Sequence, residues 1–367
     1  MANWKVALKS RLKGTPLGKY LRRRQWNKGI LDQAGIMRRI DHYMPDASAE
    51  EKARTLEDIL DMARKYRFSA EEYFYYHFAD RDEAERATFV SDLNRIDFCE
   101  TLNKFKNLAI FDDKMRSYEV FGDYYGRDCC CVNNQRDTQS FLTFVKKHSR
   151  FMLKPLTGTC GKGIRIVTLD ENDLIRQAEA VVAEFFSGGS NDGFIAEELI
   201  VQVPEMEKFN PDSVNTVRIS VVRFDEGCEP IAAFFRTGRK GSIVDNAGSG
   251  GVFGNVDVQT GRIFAVGDEF GNLYDAHPDS GYAMKGFTIP RWDEAVALAK
   301  QLSLVIPDNR YTGWDLALTE KGWLMIEGNS RGQFVWQIPS QTGWLKDMNG
   351  ILRRLGKKEM TKLGVRA

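Results

Sequence analysis

The chain has 367 residues, 43% hydrophobic and 28% charged, with a formal net charge of +1. That is long enough for two or three domains with substantial cores, in the composition of an ordinary soluble globular protein. No apolar run reaches membrane-spanning length and no charged start leads into a signal-like apolar core, so a cytoplasmic protein is expected.

The charge is unevenly placed. Residues 1–40 carry eleven Lys and Arg, from Lys5 to Arg39, against the single acid Asp32, and residues 346–367 form a second basic stretch. Such segments suit contact with the inner face of an anionic membrane or with an acidic polymer, or they are solvated helix faces. No nucleic-acid-binding module accompanies them, so no nucleic-acid partner is expected.

Residues 1–104 read as a helical region. Ser69 and Glu72 form a capping box ahead of an aromatic stripe at helical spacing, which suits a core. Residues 105–150 read as a connecting segment. Six cysteines include the run Cys129-Cys130-Cys131 but no CxxC pair, which favours reduced thiols over a metal site. From about residue 150 the texture changes to strands and glycine turns. Strands are predicted at 151–155, 163–168, 194–200, 214–224, 229–236 and 262–267, and helices at 171–186 and 291–304.

The stretch FMLKPLTGTCGKGIRIV, residues 151–167, places Lys154 and Lys162 around a glycine-rich loop. Small residues there let backbone N–H groups turn toward an anion. A Walker loop is excluded, because Gly163 follows Lys162 where Ser or Thr is required and the chain continues into a strand. Downstream, Glu197 and Glu198 interrupt an apolar strand, and Arg218 lies in a strand built for burial, which requires a partner anion. In GWDLALTEKGWLMIEGN, Asp315 sits on one strand while Glu327 and Asn329 share a face of the next. Three oxygen ligands from adjacent strands suit Mg²⁺ with substrate phosphates.

These residues, in this order, resemble the ATP-grasp fold. SVNTVRI, VDNAGSGG, HPDSG and GWDLALT…IEGN are similar to its branch associated with sugar transfer and polysaccharide loci. The resemblance covers about 105–340 and implies an α+β fold in which two subdomains clasp ATP: a small lid subdomain at 151–200 and a large one at 201–345. It implies ATP contacts from Lys114, Lys154, Glu197, Glu198, the Leu199 backbone and Glu205. Gly158, Thr159, Gly161, Lys162 and Gly163 would form the lid over the phosphates, and Arg218 would stabilise the transferred phosphoryl group. Asp315, Glu327 and Asn329 would hold two Mg²⁺.

The activity implied is a carboxylate–amine ligase that passes through an acylphosphate and releases ADP and phosphate, acting on an amino acid or a sugar such as a uronic acid. A phosphotransferase and a nucleotide-binding scaffold are the alternatives. Arg236, Arg239, Asp245, Asn246, Gly250 and Gly251 lie where an acceptor pocket is expected, Arg236 and Arg239 fitting either a carboxylate or a sheet-edge brace. His277 reads as a proton shuttle or as a turn cap. Asp315→Asn is expected to abolish turnover and leave folding largely intact.

Overall fold

The computed structural model of the protein describes residues 15–158, 161–187, 193–239, 241–245 and 250–360. Two antiparallel sheets organise them. The smaller has the order β1-β4-β2-β3, comprising β1 Cys129–Val132, β2 Arg150–Pro155, β3 Arg165–Thr168 and β4 Phe194–Glu198. The larger has the order β11-β10-β5-β6-β7-β8-β9. Its strands are β5 Thr216–Arg223, β6 Cys228–Thr237, β7 Val252–Val256, β8 Ile263–Asp268, β9 Leu273–Tyr274, β10 Tyr311–Thr319 and β11 Gly322–Asn329.

Period-two alternation explains how the small sheet is covered. Phe151, Leu153, Phe194 and Ala196 point one way and pack on Phe141 and Phe144 of the helix Thr138–Val145 and on Ala178 and Val182 of the helix Leu174–Ser187. The expected start of this unit at residue 151 is corrected to Cys129. The cysteine run is a strand paired with β4, since thiols pack as small apolar side chains. The second half of the segment predicted as a connector therefore belongs to the small sheet. The glycine-dense stretch after residue 238 contains β7, which the sequence pattern did not reveal.

The large sheet is covered on both faces. Val217, Ile219, Trp314, Leu316 and Leu318 pack under the helix Trp292–Val305. On the other face, Val222, Phe234, Phe253 and Tyr311 share a core with the N-terminal helices and with Phe334, Trp336 and Trp344. Asn103 ties this helical region to the sheet. Its Nδ2 donates to the Tyr311 and Ser330 carbonyls at 2.8 and 2.9 Å, and its Oδ1 accepts from the Tyr311 N–H at 2.9 Å.

Two of the basic stretches differ from expectation. The segment read as a C-terminal tail forms the helix Leu345–Arg354, which buries Met348, Ile351 and Leu352. Arg354 pairs with Glu226 and Glu229 at 2.6 and 2.7 Å. At the other end, Lys19 and Arg22 meet Glu100 at 3.5 and 2.7 Å, and Arg23 meets Asp97 at 2.8 Å. These charges fasten the helix Pro16–Ile30 to the helix Asp92–Leu102, whose acids lie far off in sequence. Residues 1–14 and 361–367 lie outside the described residues.

Candidate functional site

On the large sheet, register gathers the site into one row across four strands. Glu327 of β11 faces Asp315 of β10, Asp315 faces Arg218 of β5, and Arg218 faces Phe234 of β6. Cross-strand neighbours share a face, so these side chains stand side by side. Arg218 donates from Nε and Nη2 to the two Asp315 oxygens at 2.5 and 2.6 Å, and its guanidinium lies 5.6 Å from the Phe234 ring centroid. Arg236 donates to Asp315 Oδ2 at 2.7 Å and to Asp245 Oδ1 at 3.1 Å, and Thr216 Oγ1 donates to Asp245. Burial works against an ionised Asp315, yet Arg218 and Arg236 hold its carboxyl below the ordinary value. Arg218 therefore has the partner anion that its strand demanded.

Glu327 is different. Its side chain is 48% exposed and lies 3.9 Å from Arg218. Enclosure and the neighbouring Asp315 charge push its carboxyl up. Asn329 Nδ2 donates to Glu327 Oε1 and Asp315 Oδ2 at 3.3 and 3.4 Å. Gly328 between them has no alternative, because a Cβ would come within 2.6 Å of Trp314 and 2.9 Å of Phe111. Two carboxylates and an amide oxygen, with one carboxylate short of countercharge, are a donor set that fits Mg²⁺. Glu327 is the accessible carboxylate of the set, while Asp315 is shared with two guanidinium groups.

The small sheet presents a second cluster. Lys154 on β2 donates to Glu197 Oε2 at 2.8 Å, and Arg127 donates to the same oxygen from Nε and Nη2 at 3.0 and 2.6 Å. Burial opposes ionisation of Glu197, but Arg127 and then Lys154 bring its carboxyl down to about 2. Arg127, absent from the sequence-derived site, also donates to the Met325 carbonyl of β11 at 2.7 Å and thereby joins the two sheets. Its signal in the sequence is slight: an arginine after Gly126 at the mouth of a strand. Glu198 takes the Asp128 N–H at 3.0 Å, and Leu199 follows β4 half-buried.

A depressed carboxyl stabilises the fold once it is ionised. The Glu197 contribution is complete above its ordinary 4.5 and is lost as pH falls from there toward about 2. Glu197→Gln should lower stability near neutral pH and flatten the acid side of the stability profile, as read from urea midpoints between about pH 6 and pH 3.

Lys114 joins the two clusters. It begins the helix Lys114–Phe121, capped by Asp113, and its backbone N–H donates to the Leu156 carbonyl at 3.0 Å. Burial lowers its ammonium, opposed by Glu327 on the large sheet and, more weakly, by Glu197 on the small one. Its Nζ lies 3.5 Å from the Gly158 carbonyl at the root of the glycine loop. Gly158, Gly161 and Gly163 have φ of +130°, +71° and +76°, conformations that side chains disfavour, and Lys162 among them is exposed. Thr159 and Cys160 lie outside the described residues, as does Asn246.

The remaining predicted residues lie around these clusters or off them. Glu205 is exposed on the short helix Pro204–Glu207. Arg239 pairs with Asp279 at 2.8 and 2.7 Å. His277 has both ring nitrogens engaged by backbone, Nε2 donating to Gly238 O at 3.0 Å and Nδ1 accepting from Asp279 and Ser280 N–H at 3.3 and 3.2 Å. Burial lowers its pKa. Gly250, at φ +82°, and Gly251 lead into β7. Asp128, His148 and Glu198 form a further polar group on the rim of the small sheet, His148 Nε2 lying 2.9 Å from Asp128.

Two antiparallel sheets joined by Arg127, with a lysine and a glycine loop on one and an acid–arginine row on the other, define the ATP-grasp class of protein. Residues 93–353 match the sugar-transfer associated ATP-grasp family, and the chain belongs to it. Solved structures similar to it include the ATP-grasp ligase PsnB complexed with a minimal precursor, Mg and ADP. That match is at 15% identity over 75% of this chain and 70% of the other, with a TM-score of 0.39. D-alanine–D-alanine ligase from Bacillus anthracis is 13% identical over 62% and 59%, with a TM-score of 0.36. N5-carboxyaminoimidazole synthase from Aspergillus clavatus is 10% identical over 67% and 52%, with a TM-score of 0.40. The chain thus spans little more than half the length of the latter two. No curated protein matches it.

Proposed function

We propose that the protein is an ATP-dependent carboxylate–amine ligase that activates the carboxylate as an acylphosphate and releases ADP and phosphate. What supports this reading is the family match over residues 93–353, together with Arg127, which holds Glu197 beside Lys154 on the small sheet and reaches the Met325 carbonyl of the large one. ATP lying between the sheets would meet cations from the small sheet and oxygen ligands from the large one.

A carboxylate oxygen is already a nucleophile, so no strong base is needed for its phosphorylation. The protein must instead offset charge on the γ-phosphoryl group and keep water from the acylphosphate. Lys154 and Lys114 would bind the phosphates, with Arg127 and Glu197 fixing where the Lys154 ammonium sits. Glu327, Asn329 and Asp315 would hold Mg²⁺, which supplies positive charge to the phosphate oxygens. Arg218 would face the transferred group, its orientation held by two hydrogen bonds to Asp315. The Gly158–Gly163 loop would close over the nucleotide, its glycines permitting the backbone change. Arg236, Asp245 and the Gly250–Gly251 turn would border the acceptor. The acid is an amino acid or a sugar acid, the second favoured by the family to which the chain belongs.

Product analysis tests this. With Mg-ATP, acid and amine together, inorganic phosphate should appear in step with ADP, and neither should form at an appreciable rate without the acid. ADP without phosphate, with the phosphoryl group recovered on the acceptor, would make the protein a phosphotransferase instead.

A further inference from the structure

A cavity of about 870 Å³ lies away from the nucleotide clusters, between the helices Pro16–Ile30, Gln33–Tyr43 and Ala70–Tyr75 and the stretch Gln333–Ile338. Its volume is in the range of small-molecule sites, roughly 300–1,000 Å³. It stands over the same face of the large sheet as Asp315. Following β10 from Asp315 to Tyr311 covers four residues, roughly 13 Å. The Tyr311 ring then meets Phe334, a wall residue, at a centroid distance of 6.0 Å.

The wall chemistry narrows the occupant. Trp26, Tyr75 and Phe334 contribute aromatic surface, and two ion pairs stand among them: Arg39 with Glu71, and Arg95 with Asp92 at 2.7 Å. In all, the wall carries four arginines and four carboxylates, with Arg22 paired to Glu100 just outside it. A dense anion would meet Arg38 as the wall arginine with the weakest hold on an acid, and would face Asp32, Glu71, Glu72 and Asp92 around it. An acyl chain would strip water from the ion pairs, at a cost of several kcal/mol by the usual desolvation penalty. A hydroxyl-rich ring suits both features. Each hydroxyl donates to a carboxylate and accepts from a guanidinium, while the C–H face of the ring lies on an aromatic side chain.

We propose that this cavity binds a saccharide. Its use as the site for the part of the acceptor remote from the reacting carboxylate rests on the ligase function proposed above, whereas the binding itself does not.

Saturation-transfer NMR on the full chain tests it, with methyl glycosides of glucose, galactose, N-acetylglucosamine and glucuronic acid and their disaccharides as probes. At least one probe should show transfer, with affinity falling about tenfold in Trp26→Ala and severalfold in Arg38→Ala, an exposed wall residue whose loss spares the core. Mg-ADP affinity, measured by calorimetry on the same samples, should be unchanged by either substitution. Silence from every probe, or binding that neither substitution weakens, overturns the proposal even when Mg-ADP binds normally. Saccharide binding in a protein that fails to bind Mg-ADP would support the cavity and count against the ligase.

Discussion

Asp315→Asn is expected to abolish turnover and also to lower stability by about 3 kcal/mol, the usual loss when one member of a buried ion pair is removed. The residue type alone suggested a metal ligand whose loss would spare the fold. The structure changes that expectation, because Asp315 is 2% exposed and is held by both Arg218 and Arg236. Asparagine keeps the shape but leaves two guanidinium groups in the sheet without their shared charge. Glu327→Gln should be just as inactive yet stable to within about 1 kcal/mol, since its side chain is half-exposed and its carboxylate is the less favourably ionised of the two. Urea denaturation and ADP release on the two variants separate these effects. Equal stability would remove the distinction between a buried anchor and an accessible ligand.

Arg127→Ala is expected to have the second large effect. Arg127 is 2% exposed at its side chain, stands beside Glu197, and donates to the Tyr125 and Met325 carbonyls at 2.9 and 2.7 Å. Its loss leaves Glu197 with Lys154 as its nearest cation and frees two buried carbonyls. A destabilisation of about 3–5 kcal/mol follows. Because Arg127 bridges the sheets, the variant should also bind Mg-ATP more weakly, and Arg127→Lys should recover stability better than nucleotide affinity, since an ammonium lacks the planar fork. Nucleotide binding unaffected by either substitution would show that the bridge does not shape the nucleotide site.

Much of this arrangement was legible in the sequence because it depends on local alternation. Arg218 in an apolar strand, and Glu327 and Asn329 two residues apart, could be placed on strand faces by period two alone. Their partners could not. That Asp315 stands opposite both Arg218 and Glu327 is a matter of register between strands far apart in the chain. Arg127 leaves little sign in the sequence because, apart from the Tyr125 carbonyl, its acceptors lie on β4 and β11, which no local pattern connects to it. The cysteine run carries no polar signal of a strand, and β7 is hidden among glycines. The basic ends were read as free charge because Glu100, Asp97, Glu226 and Glu229 are remote in sequence. His277 showed both possibilities in its sequence context, and its three backbone contacts, two of them from Asp279 and Ser280 N–H to Nδ1, are those of a turn cap.

The most direct test of the central claim is trapping with hydroxylamine. The protein would be incubated with Mg-ATP, hydroxylamine and a panel of amino acids and uronic acids, with Lys154→Ala as the control. A hydroxamate formed from one acid, in step with ADP and absent in Lys154→Ala, is the predicted result and would identify the activated carboxylate. ADP formation dependent on one acid but yielding no hydroxamate would contradict an acylphosphate, and with it the ligase.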